Sequence, residues 1–135
     1  MMRTLIISLF VGFVVGVPVY AESSISGKVS LAPKVAAKAS PTDTVLIFAR
    51  AAEGPRMPLA ILQSQVKNLP MEFTLTDSMA MMRSMSLSNF DKVRVVARVS
   101  KSGSAMPASG DLEGTSKVVK PGSTGVQVVI DAVLP

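Results

Sequence analysis

The chain has no histidine, no cysteine and no tryptophan among its 135 residues, and aromatic side chains make up 4% of it. Without histidine or cysteine there is no Ser–His or Cys–His nucleophile and no ordinary zinc site. The two-histidine, one-cysteine site of a blue-copper protein cannot be assembled either. Covalent haem attachment through a Cys-x-x-Cys-His run is excluded in the same way. No disulfide can form, so any core rests on packing alone, and no cysteine is present to carry a lipid anchor. The scarcity of stacking aromatics argues against nucleic-acid binding. The formal net charge is +5, but the basic residues are scattered without a dense run and read as a solvated surface, with at most a mild preference for an acidic partner or anionic lipid. Carboxylates are sparse. Asp111 and Glu113 are near neighbours in a Gly-rich stretch, where a solvated turn is the plainer reading than an acid–base pair. The glycines of residues 103–110 lack the strand–turn–helix context of a phosphate loop. These absences predict a protein that is not an enzyme and carries no cofactor.

What the chain does have begins with an export signal. Arg3 gives a positive start, residues 5–17 form an apolar run, and Val19-Tyr20-Ala21 presents the small residues a signal peptidase reads. Residues 1–21 are therefore expected to be a signal peptide and residues 22–135 a single domain in the periplasm. The apolar run is shorter than the about 20 residues that span a bilayer. Left uncleaved it would retain the chain as an anchor; after cleavage no membrane span is expected.

The rest of the chain reads as strands. Residues 25–31 alternate, with Ile25, Gly27, Val29 and Leu31 on one face. The alanines between Pro33 and Pro41 allow one helical turn, and Ser40–Asp43 reads as a turn. Residues 44–50 are continuously apolar, which suits a central strand covered on both faces. Residues 57–63 read as a strand in which Pro58 marks either a sheet edge or the first residue, because proline cannot donate to a ladder. Residues 69–76 alternate with Met71, Phe73 and Leu75 inward. Residues 91–100 place Val93, Val95, Ala97 and Val99 in the core and Lys92, Arg94 and Arg98 in water. A weaker strand is expected near residues 116–119, another at 85–87, and a final one over 125–133. With no amphipathic helix between them, these segments predict an all-β, antiparallel, Ig-like two-sheet sandwich of about seven strands. Ig-like refers to architecture, since the cysteine pair and core tryptophan of immunoglobulins are absent.

The unusual side-chain chemistry lies in residues 76–90, which hold Met79, Met81, Met82 and Met85. Thioethers are soft ligands, so a Cu(I) carrier built on these four is one reading. Core filling is another, and an adaptable surface for a protein partner is a third. Met79 and Met81 share a face at strand spacing, whereas Met82 and Met85 share one only if that segment turns helically. Arg50 and Arg56 flank the Gly54-Pro55 connection and could grip a carboxylate; solvated loop arginines are the plainer reading.

Three stretches together resemble a known family: residues 45–60 (VLIFARAAEGPRMPLA), 69–81 (LPMEFTLTDSMAM) and 99–114 (VSKSGSAMPASGDLEG). They are similar to the C-terminal Ig-like domain of the cytochrome c-type biogenesis protein CycH, also called CcmI, over nearly all of the chain beyond the signal. The resemblance implies an Ig-like fold. It also implies a non-enzymatic accessory role in cytochrome c maturation, with a maturation component or apocytochrome c as protein partner. The chain reads as that β-domain behind a signal peptide, without the helical TPR array of the larger protein. No catalytic residue is implied. Arg50, Arg56, Met57, Met79 and Met81 fall in the matching blocks and, with Arg83, are the candidate partner-binding residues.

Overall fold

A computed structural model describes residues 23–54, 57–80, 82–104 and 106–135, with Arg83 as backbone alone. The segment read as a signal peptide therefore lies outside the described residues, as do Arg56 and Met81. In chain order the elements are β1 (Ser24–Leu31), α1 (Pro33–Ala36), β2 (Thr44–Ala51), β3 (Ala60–Gln65), β4 (Met71–Thr76), β5 (Val93–Ser100), β6 (Leu112–Thr115), β7 (Val126–Ile130) and β8 (Ala132–Val133). A three-stranded sheet of order β4-β1-β7 faces a five-stranded sheet of order β3-β2-β5-β6-β8. The all-β, two-sheet expectation holds.

Alternation sets which side chains meet between the sheets. Ile25 and Val29 of β1, Phe73 and Leu75 of β4, and Val126, Val128 and Ile130 of β7 face Val45, Ile47 and Ala49 of β2 and Val93, Val95, Ala97 and Val99 of β5. Each fully buried aliphatic side chain in such a layer is worth about 1.5–3 kcal/mol. The two ends are plugged from connections, by Val35 of α1 at one and by Leu59 and Leu87 at the other.

The antiparallel expectation needs correcting at one pair. β1 and β7 run parallel, Gly27 beside Val126 through Leu31 beside Ile130, while every other pairing is antiparallel. Parallel neighbours need a long crossover; here β4 and four strands of the other sheet, β2, β3, β5 and β6, intervene between the first strand and the seventh.

Four element boundaries also differ from the sequence reading. β3 starts at Ala60 rather than residue 57, because the ladder can begin only after Pro58: the Leu59 N–H donates to the Ala49 carbonyl at 2.7 Å. The weak strand expected near 116–119 lies earlier, at β6, and Val119 makes only a single bridge to Val93. Residues 83–85 and 87–89 are 3-10 turns and not a strand. The last strand is two. Its first part joins the three-stranded sheet, and β8 then crosses to pair with β6. Gly114 permits that crossing, since a Cβ there would lie 1.9 Å from the Val129 carbonyl oxygen. The sheets thus touch backbone to backbone along one side, and the Leu134 N–H closes it on the Asp111 carbonyl at 2.7 Å.

The outer face of the five-stranded sheet is the largest departure. Arg98 was expected in water, yet it is 6% exposed and Val96 beside it is fully buried. Leu46, Phe48 and Val96 form a second small apolar cluster there, with Ile61 against it. The Arg98 guanidinium lies 5.2 Å from the Phe48 ring centroid. It donates from Nε at 2.9 Å and from Nη2 at 2.7 Å to the Glu113 carboxylate. Strand parity separates the two faces of a sheet, but it does not say that the outer one is wet.

Candidate contact surface

One end of the sandwich is built by the start of β1, the end of β4, the hairpin from β2 to β3, and the start of β5. The Met-rich connection, residues 77–92, crosses this end from one sheet to the other. Its path is fixed by Asp77. That carboxylate accepts the Ser23 N–H at 2.9 Å through Oδ2 and the Ser88 N–H at 2.9 Å through Oδ1. The Asp77 N–H returns a bond to the Ser23 carbonyl at 3.2 Å. Three short 3-10 turns, Asp77–Met79, Arg83–Met85 and Leu87–Asn89, follow from the Ser- and Asn-rich sequence, whose side chains compete with a regular ladder. Leu87 pins the segment to the core with no exposed surface.

This arrangement separates the candidate methionines. Met79 and Met85 are half-buried and pack against the core. Met82 is 49% exposed and Met57, across the end in the β2–β3 connection, 42% exposed. Of the four residues read as a soft-metal set, the three described are thus split between core and solvent. Among the described residues no group of three His, Cys, Asp or Glu side chains gathers to hold a metal. The far part of the same connection lines a shallow depression of about 410 Å³ with Ser88, Phe90, Asp91 and Lys92, together with Ser23 and Lys120 and without any methionine. A larger one of about 560 Å³ lies on the polar outer face of the three-stranded sheet, among Ser26, Lys28, Glu72 and Thr74, none of them predicted from the sequence.

Arg50 ends β2 close to the same end, but on the outer face of the five-stranded sheet. Its register partner is Arg94 of β5. Both are half-buried, and neither side chain makes a hydrogen bond or ion pair with a described residue. Sequence reasoning placed Arg94 among the solvated residues, and only strand register brings the two guanidinium-bearing residues side by side.

The carboxylates noted in the sequence are occupied. Asp111 is fully buried and accepts the backbone N–H groups of Lys101 and Ala108, each at 3.0 Å. Glu113 holds Arg98. Asp43 is held below its ordinary value of 3.8, first by the hydrogen bond from Lys101 and then by the Ser40 N–H. No helix among the described residues is long and apolar enough to cross a membrane.

Comparison with known proteins bears on this surface. The family model for the cytochrome c-type biogenesis protein H Ig-like domain matches residues 25–131. The cytochrome c-type biogenesis protein CycH of Pseudomonas aeruginosa is 38% identical over 112 residues, covering 83% of this chain and 27% of that protein. The chain therefore spans about a quarter of the length of this relative. Among solved structures, an alternative pilotin from the type II secretion system of Vibrio cholerae aligns with a TM-score of 0.48 and 16% identity, over 83% of this chain and 99% of that one. So distant a likeness carries no argument here.

Proposed function

Because this chain belongs to the family of the cytochrome c-type biogenesis protein H Ig-like domain, we propose that it is a non-enzymatic protein-contacting module of cytochrome c maturation. Its partner is a component of the maturation machinery or an apocytochrome c. Residues 1–21 direct its export, and it works in the periplasm. The observation that carries this reading is the extent of the match. It runs from β1 through β7, so the likeness is to a whole folded domain and not to a short motif.

The geometry supports a contact role in a specific place. Met57 and Met82 are exposed at the end of the sandwich where Met79 and Met85 anchor the same connection to the core. Exposed methionines on a fixed base offer an adaptable apolar surface, since the unbranched thioether repacks against different partners at low cost. Arg50 stands beside this end; Arg56, Met81 and the side chain of Arg83 belong to the same connections in sequence but lie outside the described residues. Asp111 and Glu113 hold the fold, which supports a module without acid–base chemistry.

The test is affinity capture of the tagged full chain from periplasmic and membrane extracts. Enrichment of a maturation component or an apocytochrome c is expected, and its weakening when Met57 and Met82 are both changed to Glu. Capture of neither protein would overturn the reading. Mass measurement of the exported chain tests the processing, with a start at Glu22 expected.

A further inference from the structure

The outer face of the five-stranded sheet carries three arginines in two opposite electrostatic situations. Arg98 is paired with Glu113 at 2.7 Å and covers the Phe48 ring. Arg50 and Arg94, on the same face of the same two strands, are direct cross-strand neighbours. Side chains so placed have Cβ atoms about 4.5–5.5 Å apart, and like charges at that separation destabilise the pair. Both are half-buried, neither has an ionic partner among the described residues, and the adjoining surface is the apolar cluster of Leu46, Phe48 and Val96. A charge beside an apolar floor is screened less than one in open water. No described carboxylate is paired with either arginine: Glu113 serves Arg98, Asp43 holds Lys101 at the opposite end of the sandwich, and Glu53 and Asp91, each three residues away along the chain, are exposed and form no ion pair with a described residue.

We propose that Arg50 and Arg94 form a carboxylate-binding site, the point at which an acidic segment of a protein partner is gripped. Two adjacent planar guanidiniums supply parallel N–H donors that match a carboxylate bidentately, which lysines do not. A glutamate or aspartate relieves their mutual repulsion, and an apolar residue next to it in the partner finds the exposed Val118 close by. The site sits beside the end where Met57 is exposed, so one partner segment covers both. This proposal rests on the reading of the domain as a protein-contacting module and names the chemistry of what it contacts. A lipid surface is the poorer fit, because it selects for fully exposed cations and not for a half-buried pair.

The probe is a short synthetic peptide of alternating Glu and Leu, with a Gln-for-Glu counterpart, titrated against the purified full chain by fluorescence anisotropy. The variant is Arg50→Met with Arg94→Met, which keeps the apolar stems over the cluster and removes both charges. Binding of the Glu peptide is expected to be about tenfold tighter than that of the Gln peptide and to fall about tenfold in the double variant. The melting temperature should stay level or rise as the like-charge repulsion is removed. Arg50→Lys with Arg94→Lys should restore only part of the binding. Equal affinity for the two peptides, or an unaffected double variant, overturns the proposal. So does arginine-dependent binding of inorganic phosphate or of phosphatidylglycerol vesicles without binding of the Glu peptide. A lower melting temperature in the double Met variant overturns it as well, because the arginines are then structural. The peptide assay contains no maturation protein, so its success alongside an empty capture experiment fails only the pathway. Capture that survives the double Met variant fails only the site.

Discussion

Two long connections in the molecule look alike in sequence and are held in different ways. Residues 77–92 and 101–111 are both rich in small polar residues, both contain methionine, and both are tied by one aspartate accepting two backbone N–H groups. The first also sends Leu87 fully into the core and rests Met79 and Met85 against it. Among its described residues the second sends nothing apolar inward, and those from Lys101 to Ser109 are all exposed. A connection fixed by burial as well as hydrogen bonds becomes part of the body of the fold and can present a surface. A connection fixed by hydrogen bonds alone is a tethered flap.

Leu87→Ala should break the first connection most severely, with about 3 kcal/mol lost in chemical denaturation, the usual range for a buried Leu truncated to Ala. A loss under half of that would mean the connection does not depend on its core anchor. Asp77→Ala removes two charge-assisted bonds and should cost about 2 kcal/mol, with faster amide exchange at Ser23 and Ser88. Asp111→Ala should cost a similar amount or less globally, because water reaches the exposed loop, while proteolytic cleavage between Lys101 and Gly110 accelerates sharply. Comparable global losses and no local cleavage would erase the distinction between body and flap. Met82→Gln and Met106→Gln should each change stability by less than about 0.5 kcal/mol.

A modest, pH-dependent effect concerns the base of the flap. Lys101 Nζ reaches the Asp43 carboxylate at 2.7 Å and also the Lys38 carbonyl. The lowered Asp43 value means that this pair contributes stability above the ordinary carboxylate range and loses it as pH falls through the lowered folded value. Lys101→Met should therefore cost under about 1 kcal/mol at neutral pH, the scale of a largely exposed pair. The difference from the unchanged protein should vanish in acid, and a difference that grows in acid would mean the pairing is misassigned.

Much of this contrast was legible before the structure. The valines of β5 and the apolar run of β2 announced two well-buried strands. The Ser40–Asp43 turn and the single helical turn after Pro33 were equally plain. What stayed hidden depended on partners far away in the chain. Gly114 reads as a loop breaker until Val129 comes within 1.9 Å of where its Cβ would be. Val96 reads as a misplaced apolar residue until Phe48 and Leu46 join it on the outer face. Arg50 and Arg94 read as two solvated cations until the register sets them opposite each other.

By itself the sequence determined most of the strand segments and which face of each turns inward, and it excluded the chemistry that needs His or Cys. Period-two alternation and the absence of His and Cys are properties of local sequence and composition, and they need no partner to be read. The tertiary structure alone decided the parallel pairing of β1 with β7, the crossing of the last strand between sheets, and the burial of Arg98. It also decided the pairing of Arg50 with Arg94. Each of these is a matter of register or sheet order, and register is settled by the summed fit of side chains brought together from distant parts of the chain.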